Sequence, residues 1–107
     1  MVESSGYFVM LSRILKAVNM VLESLVQKRM NVLVHCSDGW DRTAQICALA
    51  QQLMDPYYRT IEGLAVIIQK DWISFGHQFH LRCGQYDRNY DEKQRSPVFI
   101  QYLDCLR

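Results

Sequence analysis

The sequence predicts an α/β fold, mostly helical, organised around one strand, a phosphate-binding loop and the helix that follows it. Three observations carry that expectation. The run Asn31-Val32-Leu33-Val34 is short, apolar and β-branched at two positions, as a buried strand is. Apolar residues on both sides of it recur at helical spacing. Between strand and second helix stands the string His35-Cys36-Ser37-Asp38-Gly39-Trp40-Asp41-Arg42-Thr43, which places a cysteine and an arginine six positions apart with a glycine at the bend.

The elements follow in order. Leu11, Ile14, Leu15, Val18, Leu22, Leu25 and Val26 form one stripe, with Arg13, Lys16, Asn19, Glu23 and Gln27 opposite, which predicts a long amphipathic helix. The strand at 31–34 comes next, and the five residues between Cys36 and Arg42 make the turn. Ile46, Leu49, Ala50 and Leu53 then mark a second helix, expected to end before Asp55-Pro56 because proline disfavours helical geometry in the residue before it. Ile61, Leu64, Ala65 and Ile68 mark a third. Residues 76–95 are polar and poorly periodic, so a surface stretch is expected there. Ser96-Pro97 reads as an N-cap and first-turn pair for a last helix whose face is Phe99, Tyr102, Leu103 and Leu106.

The loop carries the chemistry. A turn of five residues entering a helix points several N–H groups inward, and the positive end of the helix dipole adds to them, so the turn is a concave anion site. A thiol at its start lies in the same field, and Cys36 is therefore expected to be largely thiolate near neutral pH. It is the expected nucleophile. The planar fork of Arg42 can hold two phosphoryl oxygens where a lysine offers only a point charge. Asp41 is close enough to serve as general acid and then as the base that activates water, and the Thr43 hydroxyl can donate to the sulfur. Ser37, Asp38, Gly39 and Trp40 complete the lining of the cradle.

A bare Cys-x5-Arg match arises by chance in roughly one such chain in five, so the context matters more than the spacing. The full string resembles the signature of the myotubularin family of phosphoinositide phosphatases. The resemblance continues through Leu53-Met54-Asp55-Pro56-Tyr57-Tyr58-Arg59-Thr60, Gln69-Lys70-Asp71-Trp72-Ile73-Ser74-Phe75-Gly76-His77 and Arg95-Ser96-Pro97-Val98-Phe99, and reaches back to Glu3-Ser4-Ser5-Gly6. It implies a cysteine-phosphatase-like core, with residues 1–107 as part of a myotubularin-like phosphatase domain, an incomplete one because family members are several times longer. It further implies removal of the 3-phosphate of phosphatidylinositol 3-phosphate, and of the 3,5-bisphosphate, through a cysteinyl-phosphate. Cys36 and Arg42 match the family's nucleophile and phosphate clamp, Asp41 its general acid, Asp38 a residue contacting the inositol ring, and Arg82 a basic position near the ring phosphates. Gln78 stands where close relatives often carry lysine or arginine, a departure that bears on handling of a 5-phosphate. The implied setting is cytoplasmic, peripherally associated with endosomal-type membranes, with a phosphoinositide lipid as partner and a second family chain as a further one. Without the remainder of the sheet, the chain alone is expected to be a poor enzyme.

Competing readings stand beside these. Cys36 could be a small buried hydrophobe, Asp38 and Asp41 could cap the helix, and Trp40 could pack the loop's underside or touch lipid. His35 reads best as a buried, hydrogen-bonded histidine that braces the loop. His77, His80 and Cys83, with Cys47 or Cys105, invite a zinc reading, but no Cys-x-x-Cys pair supports it, and no metal or cofactor is expected. Lys70, Arg82, Arg88, Lys93 and Arg95 are most simply solvated charges. An inactive adaptor would usually have lost the cysteine or arginine, and a phosphatase acting on phosphotyrosine or phosphoserine would lack two aspartates inside the loop.

Composition bounds the rest. At 107 residues, half of them hydrophobic, the chain is one globular domain at most. A net charge of +1 argues against nucleic acid as main partner. Four cysteines without a paired short spacing, and no leader-like segment, favour a reducing cytosolic setting. No apolar run approaches a membrane span of about 20 residues.

Overall fold

Helix α1 (Val2–Leu22) starts a computed structural model that describes residues 2–83 and 96–106. Ile14 and Val18, one turn apart, point its stripe into the core. The helix widens into a π turn at Glu23–Gln27, and Arg29 adopts a left-handed φ of 53°. The Met30 N–H then donates to the Ser24 carbonyl at 2.8 Å, which closes the helix end and leads the chain into the irregular segment 31–36.

That segment corrects the expected strand. It has no regular structure, and among the described residues there is no strand, so the strand–loop–helix core is not shown here. The physical reason is pairing. A strand satisfies its N–H and C=O groups on a neighbouring strand, and every element packed near this one is a helix whose backbone bonds are already made internally. Leu33 is accordingly 87% exposed. Cavities of about 300 and 340 Å³ flank Val32–Val34, one towards Thr43, Cys47 and Phe75, the other towards Ala17, Met20 and Ile46.

Helix α2 (Arg42–Met54) is the centre of the packing. Ala44, Ala48, Leu49 and Ala50 are buried, but so are Gln45 and Gln52, while Leu53 of the predicted stripe is exposed. Both glutamines are buried because they are bonded: Gln45 Nε2 donates to the Val98 carbonyl at 2.8 Å, and Gln52 Oε1 accepts from the Tyr102 hydroxyl at 2.7 Å. The helix stops at extended Asp55, one residue before Pro56, as expected. A 3₁₀ turn, Pro56–Arg59, leads to Thr60, whose hydroxyl caps α3 (Ile61–Ile67) by accepting the Gly63 N–H at 3.0 Å. Gly63 is required there, since a Cβ would lie 1.9 Å from the Tyr57 carbonyl oxygen.

A π turn at Ile68–Ile73 continues α3 and seats Trp72, which is fully buried. Phe99 and Tyr102 pack against its ring at 4.9 and 5.0 Å. Gly76, at φ 83°, turns the chain into His77 and then α4 (Phe79–Cys83), so part of the stretch expected to be irregular is helical; the rest of it, with Arg88, Lys93 and Arg95, lies outside the described residues. The last helix, α5 (Val98–Cys105), buries Val98 and Tyr102. Its N-cap is Pro97 without a side-chain bond, not Ser96. Ser96 instead donates its N–H to the Arg82 carbonyl at 3.1 Å, tying α5 to α4. Among the described residues no helix is long and apolar enough to cross a membrane.

Candidate active site

Residues 37–41 bend without regular structure between segment 31–36 and α2, so the loop ends where α2 presents its first N–H groups. Gly39 sits at the bend with φ 89°, a conformation that residues with a Cβ rarely adopt. It turns its own N–H back towards Cys36, whose Sγ accepts from it at 3.2 Å. Thr43, in the first turn of α2, donates its hydroxyl to the same sulfur at 3.2 Å. The electrostatic consequence is a sulfur surrounded by donors. Partial burial pushes the Cys36 thiol up, but the Thr43 hydroxyl and the N–H groups of Thr43, Gly39 and Asp38 outweigh it and bring it from 9.0 down to about 7. Cys47 and Cys105 go the other way, raised by burial and then by nearby carboxylates. Only a loop that aims donors at one sulfur separates Cys36 from its neighbours in this way.

Arg42 is exposed, and its Nη2 reaches across the loop to the Ser37 hydroxyl at 3.3 Å. Asp38 is exposed at the rim, and Trp40 is half-buried, with its ring nitrogen enclosed and unpaired. Cys36, Ser37, Gly39, Arg42 and Thr43 are therefore gathered on one loop by local geometry alone.

Asp41 is brought to its partners by the tertiary fold. It stands at the N-cap of α2 but makes no capping bond. Its carboxylate faces α4: Arg82 Nη2 donates to Oδ2 at 2.6 Å and Arg82 Nε to Oδ1 at 3.3 Å. This fork-to-fork pair spans 41 residues of sequence and replaces the solvated-charge reading of Arg82. Lys70 likewise has partners, the Gln51 amide oxygen at 2.6 Å and Asp71 at 3.2 Å.

The histidine that braces the loop is His77. His35, expected in that role, is exposed, because the segment that carries it has no sheet to cover it. His77 is buried beneath the loop, with its Nδ1 2.6 Å from the Trp40 carbonyl and 3.2 Å from Asp41 Oδ1. Sequence reasoning weighed His77 only as a zinc ligand. The signal that could have found it is its place directly after a glycine and close to the buried Trp72. Among the described residues no group of three or more His, Cys, Asp or Glu is arranged to hold a metal ion.

Comparison with known proteins agrees with the loop. The family model of the myotubularin-like phosphatase domain matches residues 1–107. The chain is 51% identical over 104 residues to phosphatidylinositol-3,5-bisphosphate 3-phosphatase MTMR6 of Homo sapiens, which covers 97% of this chain and 16% of that protein. It is 49% identical over 104 residues to the human protein of the same description designated MTMR8, covering 97% of this chain and 14% of that one. Against the Caenorhabditis elegans protein mtm-1, again so described, identity is 49% over 114 residues, covering 98% of this chain and 19% of that protein. The chain thus spans less than a fifth of the length of these relatives.

Proposed function

From the premise that this chain belongs to the myotubularin-like phosphatase domain family, we propose that it carries the nucleophile loop of a phosphoinositide 3-phosphatase, acting on phosphatidylinositol 3-phosphate and on the 3,5-bisphosphate. The observation that carries this reading is the Cys36 sulfur, held between the Thr43 hydroxyl and the Gly39 N–H and brought down to about 7.

The Cys36 thiolate attacks phosphorus, the inositol alkoxide leaves with a proton from Asp41, and a cysteinyl-phosphate remains. Asp41 then takes a proton from water, which attacks phosphorus and frees the thiolate, with Thr43 donating to the departing sulfur. Arg42 clamps two phosphoryl oxygens while loop N–H groups not turned to the sulfur hold the third. The Asp41 side chain makes no cap bond, so capping is not the role it takes here. Arg82 places its guanidinium at the loop's rim, where a ring phosphate would find a cation, and Gln78 turns its amide to the Gly76 carbonyl at 3.3 Å. The lipid is met at a membrane surface from the cytoplasmic side, of endosomal type by likeness to the family, and a second family chain is a further partner.

The test is phosphate release from short-chain phosphatidylinositol 3-phosphate, the 3,5-bisphosphate and a phosphotyrosyl peptide, for the parent chain and Cys36→Ser. Release from the lipids that is lost in Cys36→Ser supports the reading. Preference for the peptide, or turnover that survives Cys36→Ser, overturns it.

A further inference from the structure

His77 and Asp41 are in contact although 36 positions separate them in the chain, and the contact is built from a part of the fold that owes nothing to the loop. The His77 side chain is 1% exposed. Its ring packs edge-on against Trp72 at 4.7 Å and Phe79 at 4.5 Å, and its backbone N–H donates to the Trp72 carbonyl at 2.9 Å. The histidine is thus fixed by the aromatic block between α3 and α5. A carbonyl oxygen only accepts hydrogen bonds, so at 2.6 Å from the Trp40 carbonyl Nδ1 must carry the proton. The same nitrogen lies 3.2 Å from Asp41 Oδ1, an ion-pair distance beside the hydrogen bond it makes to the Trp40 carbonyl.

We propose that His77 is the positioning residue of this site, its Nδ1–H holding the Trp40 carbonyl, one peptide before Asp41, and its ring standing 3.2 Å from Asp41 Oδ1, so that the proton donor is aimed at the leaving group. The proposal rests on the reading of Asp41 as general acid. Asp41 has two holds of different character. Arg82 is on the rim, 17% exposed, and a bound anion could share it; His77 is enclosed, and nothing on a substrate can take its place. With Arg82 engaged by a ligand, His77 is the contact that still fixes the carboxylate. Among the described residues Arg82 is hydrogen-bonded to Asp41 and His77 lies within ion-pair distance of it.

The experiment is single-turnover kinetics with enzyme in excess, which reads slow chemistry directly, on short-chain phosphatidylinositol 3-phosphate and on an aryl phosphate whose acidic phenol leaves without a proton donor. His77→Phe keeps the ring packing and removes the donor, His77→Asn restores an N–H near the Nδ1 position, and Asp41→Asn removes the acid. The expected result is a loss of about 10²-fold on the lipid for His77→Phe, a far smaller loss on the aryl phosphate, substantial rescue in His77→Asn, and no added loss when His77→Phe is combined with Asp41→Asn. Equal losses on both substrates in His77→Phe, with Asp41→Asn selective, would leave Asp41 as the acid and reduce His77 to a brace for the loop, which overturns the proposal alone. A non-selective Asp41→Asn overturns the acid reading and this proposal with it. Nuclear magnetic resonance of the ¹⁵N-histidine-labelled chain gives a readout that needs no turnover. A proton on Nδ1 of His77 whose shift moves in Asp41→Asn supports the contact, and a proton on Nε2 alone, or an unmoved shift, overturns it.

Discussion

Replacing Thr43 by valine removes one hydroxyl and keeps the side chain's shape, so it isolates what that donor does to Cys36. Hydrogen bonds to charged groups are worth roughly 1.5–3 kcal/mol when enclosed, and the half-buried loop reduces this one to about 1 kcal/mol through solvent screening. One pKa unit is about 1.4 kcal/mol, so the thiol should rise by about 0.7 of a unit. Starting from about 7, the thiolate fraction at pH 7 falls from about half to about one sixth. The assay is the rate of iodoacetamide alkylation against pH, with mass spectrometry assigning the product to Cys36. Thr43→Val should react about threefold more slowly at pH 7, reach the parent's plateau at high pH, and be corrected by Thr43→Ser. Cys47 and Cys105, both raised, should begin to react only at higher pH. A parent midpoint near 9, or a midpoint unmoved in Thr43→Val, would refute the reasoning, because the donors on the sulfur would then not be setting its ionisation.

Other expectations follow from particular contacts. Gly63→Ala forces a methyl into the Tyr57 carbonyl, so thermal unfolding should show a loss of about 1–3 kcal/mol or more. Tyr102→Phe leaves the Gln52 amide oxygen without its hydroxyl donor in the core and should cost about 1–3 kcal/mol in urea unfolding. Leu33→Lys should change stability by no more than about 0.5 kcal/mol, since that side chain is 87% exposed; a large loss would show that segment 31–36 is covered in solution. Gln78→Lys should raise turnover of the 3,5-bisphosphate relative to the monophosphate, because an added cation favours only the extra phosphate. An unchanged ratio in side-by-side assays would place position 78 outside the pocket.

What was legible in the sequence is what short-range physics decides. The end of α2 before Asp55-Pro56 follows from the restriction that proline places on its predecessor. The start of α2 at Arg42, the bend at Gly39 and the donors on the Cys36 sulfur all lie within eight consecutive residues, 36–43, so the chemistry of the loop could be read before any fold was known. The motif's family was legible for the same reason.

Only the tertiary structure decided the rest, because each remaining feature depends on groups far apart in the chain. Gln45 and Gln52 look like surface residues by type, yet are buried because Val98 and Tyr102, more than forty positions away, bond them. The histidine under the loop is His77 and not His35, because burial there is supplied by Trp72 and Phe79, not by the loop's own neighbours. Asp41 faces Arg82 because α4 packs beside the loop, a placement that no local propensity encodes. The same dependence explains the strand that did not form. Asn31–Val34 has the composition of a strand, but a strand is defined by hydrogen bonds to another, and among the described residues only helices lie beside it.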